Sequence, residues 1–194
     1  GKETFGNCVS LTEITFRSSD ITVESDAFIY CNALTTVNAP CYWDNTYTFA
    51  DTVTVNIQHS YDNGFCIICD GYQPAVLTAD KYDLDKDGEK DSVYKIGNAG
   101  QLYWFIDFVD NGNYHAYAVL TDDIVVNEGN VYGCNGTKAE GWREWTPVNY
   151  SGVFDGQGHT VSGIYCNVTS PYDVGFIGFL YCDSGYAAVQ NLGV

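Results

Sequence analysis

Apolar residues in this chain come in short bursts cut by Gly, Asn and Asp, and only one stretch carries a helical period. That stretch begins after Asn98, where Leu102, Phe105, Ile106 and Val109 recur at three- and four-residue intervals. Such spacing places them on one face of a helix, with Asn98 as its N-cap and Asn111-Gly112 as its stop. A short strand, Tyr94-Lys95-Ile96, leads into it. Beyond it the pattern predicts strands at 116–120, 123–126, 153–154, 161–164, 174–180 and 187–192. Short strands at this spacing with no helices between them suit a sandwich, a barrel or a β-solenoid. A lone helix at the start of such a stack would cover the core of its first coil.

The N-terminal pattern is different. Phe5, Cys8, Leu11 and Ile14 recur as Phe28, Cys31, Leu34 and Val37, an offset of 23 residues. That offset lies within the roughly 20–29 residues of a leucine-rich repeat. Each unit would bury its Leu and Ile or Val from a strand, with Phe and Cys as soft core filling on the opposite wall. Two units are too few to fold alone, since about three are needed.

Composition narrows the function. A net charge of −17 argues against nucleic-acid binding, since a phosphate partner wants a basic face. No apolar run reaches the roughly 18 residues of a membrane-spanning helix. Sixteen Tyr, ten Phe and four Trp are enough to build a core, which argues against disorder. The eight cysteines fit core packing plus one metal site better than a disulfide scaffold. For Cys134, Cys166 and Cys182 the sequence leaves both thiol and disulfide open.

Two segments carry candidate metal chemistry. In His59-x6-Cys66-Ile67-Ile68-Cys69-Asp70-Gly71, the C-x-x-C spacing lets two sulfurs face one tetrahedral ion, and Gly64 and Gly71 permit the tight turn. His59 is the natural third ligand and Cys41 the candidate fourth, giving a closed structural Cys3His zinc site. A Cys66–Cys69 disulfide and a redox C-x-x-C are the competing readings, the latter lacking the helix start it normally needs. In Asp83-Leu84-Asp85-Lys86-Asp87-Gly88-Glu89-Lys90-Asp91, alternating carboxylates with Gly at the sixth position resemble the opening of a calcium loop. Asp83, Asp85, Asp87 and Asp91 are its candidate ligands. The twelfth position is Tyr94 rather than Glu, so a solvated polar turn competes.

The residues Phe28-x-x-Cys31-x-x-Leu34-x-x-Val37-x-x-Pro40 resemble the BspA-type leucine-rich repeats of bacterial surface proteins. Ile96-Gly97-Asn98-Ala99-Gly100-Gln101-Leu102, Tyr150-Ser151-Gly152-x-Phe154-Asp155-Gly156-Gln157-Gly158-His159-Thr160 and Val174-Gly175-Phe176-Ile177-Gly178 resemble GLUG-motif surface proteins. Those resemblances imply a right-handed parallel β-helix in the second half, with residues 129–141 as an insert. They also imply an extracellular or cell-surface setting, and a host or bacterial surface ligand, protein or glycan, as partner. The expected organisation is a repeat segment over 1–55, a Cys/His connector over 56–75, an acidic linker over 76–92 and a β-helix module over 93–194 whose coils continue past Val194. The expected fold class is mainly β, and the expected role is adhesive or structural.

The enzyme alternative is a polysaccharide lyase or hydrolase built on the same coils. Asp122, Asp123, Asp155 and Asp173, with His159 and Arg143, would be its carboxylates and helpers. Asp155 and His159 lie in a glycine-rich bend, so they read as turn residues, and no catalytic residue is assigned.

Overall fold

The computed structural model describes residues 4–18, 20–43, 47–129, 137–167, 175–182 and 185–194, with the side chains of 80 and 81 set aside. Its contacts divide the chain into two units. Gly1–Asp62 with Cys66–Gly71 form the first, and Asn63–Phe65 with Tyr72–Val194 form the second. Both are mainly β, with one helix among the described residues.

In the first unit, β1 (Glu13–Thr15), β2 (Thr36–Pro40) and β3 (Thr54–Gln58) lie parallel in that order. Ile14 pairs with Val37 and Val37 with Val55, so the 23-residue offset is the coil length of the first two strands. Each coil turns into its strand the same way. The N–H of Leu11 donates to the Cys8 carbonyl at 3.0 Å, that of Leu34 to Cys31 at 3.1 Å and that of Val53 to Ala50 at 2.8 Å. The same turn therefore occurs a third time, with Tyr47, Ala50 and Val53 where the others carry Phe, Cys and Leu. The aromatic column follows suit: Phe5 stacks on Phe28 at 5.1 Å and Phe28 meets Tyr47 at 6.0 Å. Inward positions Val37 and Ala39 are fully buried. Outward, Asn56 donates to Asn38 at 3.0 Å, a polar ladder along the rungs. Cys31 is buried and its thiol donates to the Phe5 carbonyl at 2.8 Å, whereas Cys8 on the first coil is exposed. β4 (Tyr61–Asp62) and β5 (Phe65–Cys66) follow in the chain.

The second unit is built on β6 (Val76–Tyr82), β7 (Asp91–Ile96), β8 (Ala118–Leu120), β11 (Val153–Asp155) and β14 (Ala188–Gln190). They form a five-stranded sheet in the order β14-β11-β8-β7-β6. Only β6–β7 is antiparallel; the rest are parallel. Phe154 lies opposite both Ala118 and Val189, so strands 36 and 35 residues apart stack as neighbours. Two more parallel pairs repeat the step. β9 (Ile124–Val125) pairs with β12 (Val161–Ser162), and β10 (Asn149–Tyr150) with β13 (Phe179–Leu180). Residues 76–92 correct the linker expectation. Val76, Leu77 and Thr78 pair with Lys95, Tyr94 and Val93, so the acidic run is the loop of a hairpin.

α1 (Ala99–Asp110) joins β7 to β8. Its buried face carries Leu102, Phe105, Ile106 and Val109, as their spacing predicts. Phe105 packs on Tyr150 and Phe154 at 6.2 and 6.0 Å. Burying one such ring contributes roughly 2–3 kcal/mol. Asn98 caps the helix by accepting from the Gln101 N–H at 2.9 Å, and Asn63 accepts from the N–H groups of Ala99 and Gly100. The approach is close: a Cβ on Gly100 would fall 1.8 Å from the Gly64 carbonyl oxygen.

Candidate metal centre

The end of the first ladder creates the site. Pro40 is the register partner of Gln58, so the next residues, Cys41 and His59, leave adjacent strands side by side. The Cys41 N–H donates to the Gln58 carbonyl at 2.9 Å, holding that exit. The C-x-x-C loop supplies the other two groups. Its turn is closed by the Asp70 N–H on the Cys66 carbonyl at 3.0 Å and the Cys66 N–H on the Gly71 carbonyl at 2.8 Å. A Cβ on Gly71 would lie 3.1 Å from the Cys69 sulfur, so the loop closes over its own thiol.

The four side chains expected from the sequence come together. One ligand atom from each of Cys41, His59, Cys66 and Cys69 lies within 4.8 Å of every other. The Cys41 and Cys66 sulfurs are 3.4 Å apart, and the Cys69 sulfur is 3.3 Å from His59 Nδ1. Ligands at about 2.3 Å from a tetrahedral ion stand roughly 3.8 Å from each other, so this cluster can hold a metal ion. Cys41 and Cys66 are 2 % and 1 % exposed, while His59 is exposed and stacks on Tyr61 at 5.5 Å. Cys69 is half-buried, so of the four side chains the imidazole is the exposed one.

Electrostatics divide the two buried thiols. Burial pushes the Cys66 thiol up, but the N–H groups of Ile68 and Cys69, with His59 and Cys41, outweigh it and bring it down to about 5. Burial, followed by hydrogen bonding with Cys66 and Cys69, pushes Cys41 up to about 12. A thiolate held in a buried pocket by backbone donors is a preformed cation ligand. The 3.4 Å sulfur separation between Cys41 and Cys66 is well beyond the about 2.05 Å of a disulfide bond. The C-x-x-C lies on a turn and not at a helix start, which removes the context a redox motif needs.

In the second unit, oxygens of Asp83, Asp85 and Asp87 also approach within 4.8 Å of one another. Asp83 Oδ1 is buried without a hydrogen-bond partner. Asp91 is used differently: its carboxylate accepts the Leu84 N–H at 2.7 Å and closes the loop. Burial, ahead of the neighbouring charges of Asp85 and Asp87, raises its pKa. Tyr117 donates to Asp85 at 3.0 Å.

Two of the carboxylates weighed for catalysis, Asp155 and Asp123, are occupied. Asp155 is 4 % exposed and accepts from the Gln157 N–H at 2.8 Å, Asn191 at 3.0 Å and Gln190 at 3.0 Å. Asp123 accepts from the Thr160 N–H at 2.8 Å and lies 3.5 Å from His159. The Thr160 N–H and hydroxyl hold the Asp123 carboxyl below its ordinary range. Arg143 sits over the Phe65 ring at 3.6 Å, and Asp122 is exposed. Asp173 and Cys134 lie outside the described residues. Cys166 is buried in the core of the second unit and Cys182 is exposed, its thiol donating to the Gly185 carbonyl.

Sequence reasoning missed the ring behind His59, since nothing about Tyr61 marked it as a support. It also had no signal for why Cys41 should be the fourth ligand; the strand register supplies it. Comparison with protein-family models, with curated proteins and with solved structures gives no match.

Proposed function

We propose that this chain is a section of a secreted or surface-attached bacterial protein whose role is adhesive and structural. In this reading the first unit is a BspA-like leucine-rich-repeat segment, closed by a structural zinc ion on Cys41, His59, Cys66 and Cys69. The second is a GLUG-like β-solenoid capped by α1, and it presents a ligand-binding surface to a protein or glycan. The single observation that carries the reading is the pair of in-register parallel ladders, stepping by 23 and 18 residues in one unit and by 24, 36 and 35 in the other. Parallel strands stacked in register present repeated surfaces, which suits display more than turnover. The donors filling Asp155 support the same view, because a carboxylate committed to three hydrogen bonds is poorly placed as a general acid or base.

Zinc fits the donor set better than a harder ion, since three sulfurs and one imidazole form a soft, closed shell. Calcium is the ion that the Asp83, Asp85 and Asp87 oxygens would take, and the unpartnered Asp83 Oδ1 supports that assignment.

Metal analysis of purified protein tests the first claim. One zinc per chain is expected, Cys41→Ser should lower the content sharply and Cys8→Ser should leave it unchanged. Protein without zinc, carrying a Cys66–Cys69 bridge in a non-reduced digest, would remove this part of the reading. A glycan array run beside reducing-sugar release tests the second: release of sugar by the wild-type protein would replace the display role with an enzymatic one.

A further inference from the structure

A groove of about 240 Å³ opens beside α1 in the second unit. Two of its walls are Tyr72 and Tyr103, whose ring centres lie 5.7 Å apart at 47°. The two rings are tilted against each other and do not form the flat platform on which a sugar ring stacks. The floor is Trp145, which stands edge-on to Tyr103 at 5.3 Å and has its N–H spent on the Phe176 carbonyl at 3.0 Å. The Tyr103 hydroxyl is also spent, donating to the Glu144 carbonyl at 3.1 Å.

Three carboxylates remain to meet a ligand. Asp107 and Asp110 line the groove from one face of the helix, three residues apart, and Glu144 also lines it. No Lys, Arg or His is in the lining. Glu144 has an exposed partner in Lys138 at 3.9 Å, a surface pair weak enough for a second cation to displace. The same aromatic cluster already accepts one cation, since Phe65 packs edge-to-face on Tyr103 at 5.5 Å and carries the Arg143 guanidinium on its face. A chain of net charge −17 draws further cations toward it.

We propose that this groove binds an alkylammonium or guanidinium group, of the kind carried by the Lys and Arg side chains of a basic protein partner. The π faces of Tyr72 and Tyr103 would flank the cation, and Asp107, Asp110 and Glu144 would neutralise it. None of the four metal ligands lines the groove.

Nuclear magnetic resonance titration of the full chain tests it, with N-acetyl-lysine amide, N-acetyl-arginine amide, choline and the neutral N-acetyl-norleucine amide as probes. The Lys and Arg amides should saturably shift resonances of Tyr72, Tyr103 and Trp145, more weakly as salt is raised, and the norleucine amide should not. Tyr72→Ala should weaken binding about threefold, the loss of one exposed cation–π contact. Asp107→Asn with Asp110→Asn, at two exposed positions, should weaken it further without changing the fold. Equal binding of the norleucine amide, no response to either cationic amide, or unaltered affinity in the Asp double variant overturns the proposal. Choline binding more tightly than both amides overturns its protein side chain in favour of a quaternary ammonium headgroup.

Discussion

Asp155 shows how one buried residue is read differently from sequence and from structure. In the sequence it stands next to Gly156 in a bend, equally at home as a turn residue or as half of a carboxylate pair. In the fold it links two neighbouring parallel strands, taking its own Gln157 N–H and the side chains of Gln190, at the end of β14, and the following Asn191. Asp155→Asn keeps the shape but offers an amide group where a donor already points. At least one of the three bonds is lost and a buried donor is left unpaired, a cost of about 1–3 kcal/mol. Urea unfolding should register that loss, and hydrogen exchange should show it concentrated at Ala188–Gln190. An unchanged midpoint would mean that the three bonds contribute nothing net.

Element by element, legibility followed the strength of the local signal. α1 was fully legible because cap, apolar period and stop agreed, and the structure begins it after Asn98 and ends it before Asn111. Asn98 accepts from Gln101 while the Gln101 side chain accepts from Gly97, a reciprocal cap across the first turn. Asn98→Ala should cost about 1 kcal/mol, lowering the melting temperature by roughly 2–4 °C in a domain of this size, and Asn98→Ser should recover most of it. Calorimetry of the three proteins decides this, and equal melting temperatures would show the cap to be redundant with Asn63. The third turn was not legible: Tyr47, Ala50 and Val53 replace the Phe, Cys and Leu that mark its neighbours, and its strand follows the last by only 18 residues. β6 was hidden by its acidic loop, whose composition resembles a linker although Val76–Thr78 are paired in a sheet. The metal cluster was legible in three of its parts from spacing alone. Cys41 became compelling only when the register put it beside His59, a long-range fact that no local pattern carries.

At the scale of the molecule, tyrosine sets a limit on alkaline stability. Burial pushes Tyr117 up to about 12, helped by its hydrogen bond to Asp85, and burial also raises Tyr103 and Tyr150 above the ordinary value of 10.0. Unfolding exposes these phenols, which then ionise near 10, so the unfolded chain binds fewer protons than the folded one above that pH. Stability contributed by these groups is therefore complete below about pH 10 and falls as pH rises toward 12. Deprotonation of lysines on a chain already at −17 acts in the same direction, so the wild-type curve alone is not diagnostic. Tyr117→Phe separates the two effects, because it removes one shifted phenol and leaves the lysines untouched. Urea midpoints measured from neutral pH to pH 12 should fall less steeply above pH 10 in the variant than in the wild type. Parallel slopes would assign the alkaline transition to general charge repulsion, with the buried phenols as bystanders.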